Sequence, residues 1–142
     1  MKVYKFGGAS VRDAKGIRNL QSIVQLEYEK GTELMIVVSA MGKTTNALEA
    51  VVNALVEGKE QQALEQWIQI IDSHVAIMKE LGLQPGVDVR LQGEIPYDPQ
   101  RSYDQNYDQI VSLGEIMSTQ IIAVYLLKQG LRVEWWNIPK LL

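Results

Sequence analysis

The 142-residue sequence has no cysteine, one histidine and one phenylalanine. Without cysteine there can be no disulfide framework, zinc–thiolate site or thiol nucleophile. Nowhere do His, Asp and Glu fall at metal-ligand spacing. Neither charge dominates: 14 Lys+Arg against 17 Asp+Glu leave a net charge of −3, and no basic run occurs. A dedicated nucleic-acid-binding surface is therefore not expected. No uninterrupted apolar run approaches the roughly 20 residues that cross a bilayer, so no membrane association is expected. Met1-Lys2-Val3-Tyr4-Lys5 enters a strand-like run directly and shows no signal-peptide pattern, which makes a cytoplasmic location the default expectation. Internal repeats and low-complexity linkers are also missing. What is present, 46% hydrophobic and 22% charged residues, is the mix of one globular domain.

Turn residues between periodic runs make the order of elements readable. Val3–Phe6 reads as a first strand stopped by Gly7-Gly8. Ser10 and Asp13 form a Ser-x-x-Asp helix start, followed by Ala14, Ile17, Leu20 and Val24 at helical spacing and by Gly31 as the stop. Leu34-Met35-Ile36-Val37-Val38 is a continuous apolar run, the pattern of a strand buried on both faces of a parallel sheet. After the small, polar turn Ser39–Asn46, one helix carries Leu48, Val51 and Leu55 and stops at Gly58. A longer helix places Leu64, Trp67, Ile68, Ile71, Val75, Met78 and Leu81 along one stripe. Gly82 to Ser102 holds all but one of the four prolines and reads as a loop. Helical spacing returns from about Tyr103 to Lys128, Gly130 closes it, and Leu131–Trp136 is a third strand candidate.

These elements predict an α/β fold with a mainly parallel sheet. Right-handed crossovers bring the Gly7-Gly8 and Ser39–Asn46 turns together at the carboxyl ends of adjacent strands, the usual ligand site of open α/β sheets. Three strands make a thin sheet, so the chain is expected to be part of a larger domain.

Three segments have the residue types for chemistry. In Lys5-Phe6-Gly7-Gly8-Ala9-Ser10, paired glycines after a strand let backbone N–H groups approach an anion, and a following helix start adds its dipole. Lys5 stands where its ammonium can reach the same phosphate; the alternative is an exposed edge lysine and a glycine turn needed only for direction. Ser39 to Asn46 contains Gly42-Lys43-Thr44, the tail of a phosphate-binding P-loop. The full motif, G-x-x-x-x-G-K-S/T, requires glycine where Val37 stands, so that reading is rejected. The hydroxyls of Ser39, Thr44 and Thr45 suit a carboxylate or phosphate, while Thr45 or Asn46 with Glu49 equally forms a helix cap. Ser112-Leu113-Gly114-Glu115 is either another capping box or places Glu115 to hold a substrate ammonium. His74, on a helix among apolar neighbours, reads as structural or surface. Trp135 and Trp136 read as packing, and the Tyr97–Asp108 tyrosines and aspartates as a solvated loop and helix start.

Together the three segments resemble the aspartate kinases of the amino-acid kinase family. Lys5–Val11 is similar to that family's opening K-F-G-G-T/A-S-V/L, Val38–Asn46 to its V-S-A-x-x-x-x-T-N loop, and Ser112–Glu115 to its S-x-G-E motif. They occur in the family's order and spacing. The resemblance implies a three-layer α/β/α sandwich, use of ATP with Mg2+, and phosphorylation of the L-aspartate side-chain carboxylate to 4-phospho-L-aspartate, which opens lysine, threonine and methionine synthesis. It implies that Lys5 is catalytic, that Lys5, Phe6, Gly7, Gly8 and Ser10 bind ATP phosphate, and that Ser39, Thr45 and Glu115 bind the substrate. A homo-oligomeric parent enzyme is also implied. Where the family often has arginine after Gly-Glu, this sequence has Ile116. Residues 1–142 then correspond to the amino-terminal part of the catalytic domain, incomplete at its carboxyl end and without a regulatory ACT domain. The alternative is a catalytically inactive chain acting only as an association or anion-binding module.

Overall fold

The computed structural model describes residues 1–136. Its elements run β1 (Lys2–Phe6), α1 (Ala14–Glu29), β2 (Leu34–Val38), α2 (Thr44–Val56), α3 (Glu60–Glu80), α4 (Tyr103–Val111) and α5 (Leu113–Lys128). The α/β class is as the sequence predicts, and β1 and β2 pair in parallel with Phe6 opposite Val38. Both following turns thus leave the sheet side by side at its carboxyl end.

Burial on the two strands is one-sided. Phe6, Leu34 and Ile36 pack on a core formed by α1, α5 and Met78 of α3. On the opposite face Val3 is 53% and Val37 44% exposed. The run Leu34–Val38 is therefore not buried on both faces by the described residues; side chains alternate across a strand, and only the even-numbered set meets helices. Leu131–Trp136 is not a strand, for it finds no ladder partner among the described residues and the sheet has two strands. Trp136 is exposed rather than packed, and the Trp135 indole N–H donates to Thr119 Oγ1 at 2.8 Å.

Helix starts also differ in detail. Asp13 alone caps α1, its Oδ1 accepting from the Gly16 N–H at 2.8 Å, while the Ser10 N–H closes a turn onto the Gly7 carbonyl. Neither Thr45 nor Asn46 caps α2: the helix begins at Thr44, whose hydroxyl donates to the Met41 carbonyl at 2.6 Å. Glu49 instead accepts from the Tyr107 hydroxyl at 2.8 Å, and the Tyr107 phenol is pushed up above its ordinary range chiefly by that bond. The capping box near the third segment is Ser102 with Gln105, in the predicted solvated helix start, and Ser112 makes no cap.

Between α2 and α3 the chain reverses at Gly58, whose φ of 77° suits a residue without Cβ. The helical hairpin packs with α4 around Leu48, Val51, Trp67 and Ile110. The buried row of α3 is Ala63, Trp67, Ile70, His74 and Met78. Leu64 and Ile68, expected inside, are about half exposed. The helix is rotated from the predicted stripe so that Trp67 sits centrally and His74 turns inward.

Tyr103–Lys128 forms two helices in line, interrupted at Ser112. By length and composition this stretch is long and apolar enough to cross a membrane, with a mean hydropathy of 1.7 over its most apolar window. Over half of that window is buried inside the protein, where Met117 packs in the α2–α3 core and Ile121, Ile122 and Leu126 in the α1 core. Its apolar character is thus accounted for by core packing.

At the amino end of the strands, Glu27 of α1 is 7% exposed. Its carboxylate accepts from Thr32 Oγ1 at 2.9 Å, Tyr4 Oη at 3.0 Å and Lys2 Nζ at 3.3 Å. The Thr32 and Tyr4 hydrogen bonds hold it below the usual carboxylate range despite burial, and the same contact raises the Tyr4 phenol.

Candidate functional site

The structure joins the three sequence segments through one small residue, Ala40, which is 4% exposed. On one side stands Gly8. A Cβ built there would lie 2.9 Å from both the Ala40 and the Gly42 carbonyl oxygens. The Gly42 N–H donates to the Gly8 carbonyl at 2.9 Å, and the Ser39 N–H to that of Phe6 at 3.0 Å. On the other side stands Gly114 of α5. A Cβ there would come within 2.9 Å of Ala40 Cβ, 3.2 Å of Leu48 Cδ1 and 3.3 Å of Thr44 Cγ2. Two glycines therefore let the β1 turn and the first turn of α5 close on the β2 turn from opposite sides. Any larger residue at either would hold the segments apart.

This packing sets where the predicted side chains lie. Lys5 is on the open face of β1, exposed, with no hydrogen bond or ion pair among the described residues. Phe6 points the other way and packs against the core; any contribution it makes to an anion site comes through its backbone. Gly7 has open space around it, with nothing within 4 Å of a built Cβ. The backbone N–H groups of Gly7, Gly8 and Ala9 donate to no carbonyl among the described residues. Ser10 and Ser39 are exposed and Thr45 half-buried, while Glu115, exposed, follows directly on the Gly114 contact. The arrangement presents one ammonium, unpaired amides and hydroxyls, and one carboxylate at the carboxyl end of the sheet. Such a set has the chemistry to suit an anion beside a group bearing a positive charge.

Sequence reasoning gave Gly8 to phosphate alone and did not anticipate that it seats the second loop. Gly114 was seen only as part of a motif. The spacing of glycines does not reveal which distant carbonyl or methyl a Cβ would meet. It also missed Gly16, whose built Cβ would collide with the Ser10 carbonyl, so that glycine is what lets the β1 turn fold back on α1.

The family model of the amino acid kinase family matches residues 1–140. Aspartokinase 1, chloroplastic, of Arabidopsis thaliana is 30% identical over 145 aligned positions, which take in 95% of this chain and 25% of that protein. The aspartokinase of Chlamydia trachomatis is 32% identical over 126 positions, covering 87% of this chain and 27% of the relative. The chain thus spans about a quarter of the length of the curated relatives it matches. Among solved structures, E. coli aspartokinase III in complex with aspartate and ADP superposes with a TM-score of 0.64 at 24% identity, over 96% of this chain and 31% of that one. That likeness shows the fold. With the family model spanning nearly the whole chain, the chain belongs to the amino acid kinase family.

Proposed function

We propose that this chain supplies the substrate-proximal part of an ATP-dependent aspartate kinase, which makes 4-phospho-L-aspartate and so feeds lysine, threonine and methionine synthesis in the cytoplasm. The observation that carries the reading is the meeting of all three motif segments around Ala40. The relatives named aspartokinase support the substrate class.

The chemistry asks little of side-chain acids and bases. A free aspartate side chain has a pKa near 3.9, so the attacking carboxylate is ionised at pH 7 and no general base is needed. One of its oxygens attacks the γ-phosphorus, the bond from that phosphorus to the β,γ-bridging oxygen breaks, and ADP leaves. The task is to align two anions and offset the charge on the transferring group. Lys5 brings an ammonium to that group, and the amides of Gly7 and Gly8 with the Ser10 hydroxyl hold phosphate oxygens. Ser39 and Thr45 orient the aspartate, and Glu115 pairs with its ammonium. Among the described residues no three His, Asp or Glu side chains cluster to hold a metal; Mg2+ would accompany the nucleotide phosphates and shield their charge.

The test has two arms. In the enzyme containing this chain, Lys5→Ala is expected to abolish acyl-phosphate formation, read by trapping the product with hydroxylamine, while leaving the melting temperature within about 1 °C. Wild-type turnover in that variant would overturn the assignment. In the 142-residue chain itself, L-aspartate and Mg-ATP are expected to move the amide NMR signals of Gly7, Gly8, Ser39, Thr45 and Glu115.

One observation favours a second reading, an association module that self-pairs: the exposed Val3 and Val37 on the open face of the sheet. Light scattering decides it, since a monomer at about 100 μM leaves that face without a role in self-association.

A further inference from the structure

Glu49, expected to complete a helix cap, is used elsewhere. It lies one turn beyond Thr45 on the same face of α2, about 6 Å along the axis. Its Oε1 accepts from the Tyr107 hydroxyl of α4 at 2.8 Å. One turn further along α2, Asn53 Oδ1 accepts from the Tyr103 hydroxyl at 3.2 Å. The two tyrosine rings are stacked, with centroids 5.9 Å apart. Helices α2 and α4 therefore run antiparallel, and each turn back along α2 meets one turn forward along α4.

Followed toward the amino end of α2, this ladder leads to the candidate site. The chain passes from α4 into α5 at Ser112. The two arms then meet again where Gly114 packs on the first turns of α2, since a Cβ there would lie 3.3 Å from Thr44 Cγ2 and 3.2 Å from Leu48 Cδ1. Thr45 and Glu115 are the residues that directly follow Thr44 and Gly114. The Glu49–Tyr107 bond thus lies one turn from the point at which those two side chains leave their helices. Both partners are half-buried, and a hydroxyl donating to a carboxylate makes a stronger bond than a neutral pair. That bond pushes the Tyr107 phenol up, so the hydroxyl keeps its proton and remains the donor at neutral pH.

We infer that Glu49 and Tyr107 are a positioning pair, whose bond sets the interval between Thr45 and Glu115 and with it the fit of the amino-acid substrate. The inference rests on the kinase reading for what occupies that interval, but not for the interval itself. Neither residue is given a direct contact with substrate.

The test uses the enzyme containing this chain, with acyl phosphate trapped by hydroxylamine. Tyr107→Phe removes the hydroxyl and keeps the ring that stacks on Tyr103. It is expected to raise KM for L-aspartate about fivefold, with kcat and KM for Mg-ATP within about twofold of the parent. Glu49→Leu should do the same, and the double variant should be no worse than either single one. Glu49→Gln keeps an acceptor for the Tyr107 hydroxyl and should stay within about twofold of the parent. Tyr103→Phe breaks only the outer, exposed bond and should also change KM by less than about twofold. In the 142-residue chain, Tyr107→Phe should move the amide NMR signals of Thr45 and Glu115 and leave that of Gly7 in place. An unchanged KM for L-aspartate in Tyr107→Phe overturns the inference. So does a fall in kcat with an equal rise in both KM values, which would mean a general loosening of the fold. Tighter aspartate binding in Tyr107→Phe with loss of binding in Glu49→Gln would show Glu49 to be a substrate ligand instead, and overturns it as well. A parent enzyme that forms no acyl phosphate from L-aspartate removes the kinase reading; Thr45 and Glu115 signals that stay fixed in Tyr107→Phe remove the positioning pair.

Discussion

Gly7 and Gly8 are adjacent, chemically identical and equally suited to an anion, yet the structure assigns them different work. Replacing each by alanine separates the two. At Gly7 a Cβ meets nothing within 4 Å. At Gly8 it meets two backbone carbonyl oxygens at 2.9 Å, which are not flexible side-chain ends and cannot swing aside. Neither residue has the positive φ that would strain an alanine for backbone reasons. Gly7→Ala should therefore show only the loss of unfolded-chain entropy, a gain of about 0.4–1 kcal/mol. Gly8→Ala receives the same gain, offset by an overpacking cost of about 1–3 kcal/mol. It also weakens the Gly42-to-Gly8 backbone hydrogen bond, worth about 0.5–1.5 kcal/mol. The net expectation is a loss of about 1–3 kcal/mol, and at about 3 °C per kcal/mol the melting temperature falls by roughly 3–9 °C. Urea unfolding followed by the fluorescence of the buried Trp67, among the chain's three tryptophans, measures both variants. Equal losses at the two positions, or a Gly8→Ala protein as stable as the parent, would refute the role given to Gly8. Gly7→Ala has a further use: any drop in Mg-ATP binding in that stable variant would report on the proposed phosphate contact.

Three other outcomes follow from the geometry. Gly114→Ala sets a helix-propensity gain of about 1 kcal/mol against overpacking on Ala40, Leu48 and Thr44; calorimetry should find a net loss and NMR should find the Ala40 and Thr44 signals displaced, whereas a stabilised protein would mean α5 is free to shift. Asp13→Ala should cost about 1 kcal/mol through the lost cap of α1 and Ser10→Ala close to nothing, a contrast that denaturant midpoints resolve. Glu27→Gln should be less stable than the parent at neutral pH. Because the folded-state pKa of Glu27 lies below its unfolded value, its contribution is present above the unfolded pKa near 4.5 and disappears as pH falls through the folded one, so the two melting curves should converge in acid.

The sequence made the parallel strand pair, the helical hairpin and the convergence of two turns readable because each rests on local pattern: apolar runs, glycine stops, helical spacing. Gly31, Gly58 and Gly130 end helices as expected, since a residue just past a helix end declares itself through its own backbone. Features set by distant partners were not readable. Helical spacing points to a stripe through Leu64 and Ile68 rather than Ala63 and Ile70, because α3 carries apolar residues on more than one side and only its packing partners select among them. A third strand at Leu131–Trp136 was reasonable from composition, yet a strand exists only with a neighbour to bond. At the site, the side chains were legible as a motif. The spacer geometry around Ala40 was not, because it depends on atoms that approach one another only after folding.

The Glu27 cluster, which takes in Lys2 and Tyr4, bears on Lys5, the next residue along β1. In a strand, odd and even positions point to opposite sides, so a slip of one residue exchanges them all. Burial of Phe6, Leu34 and Ile36 on one face already opposes such a slip. By binding the even-numbered Lys2 and Tyr4 from helix α1, Glu27 reinforces the parity that the packing of Phe6 sets. The side on which the Lys5 ammonium emerges is thereby secured in part by a carboxylate on the opposite face of the strand, since any slip of one residue would turn that ammonium into the core.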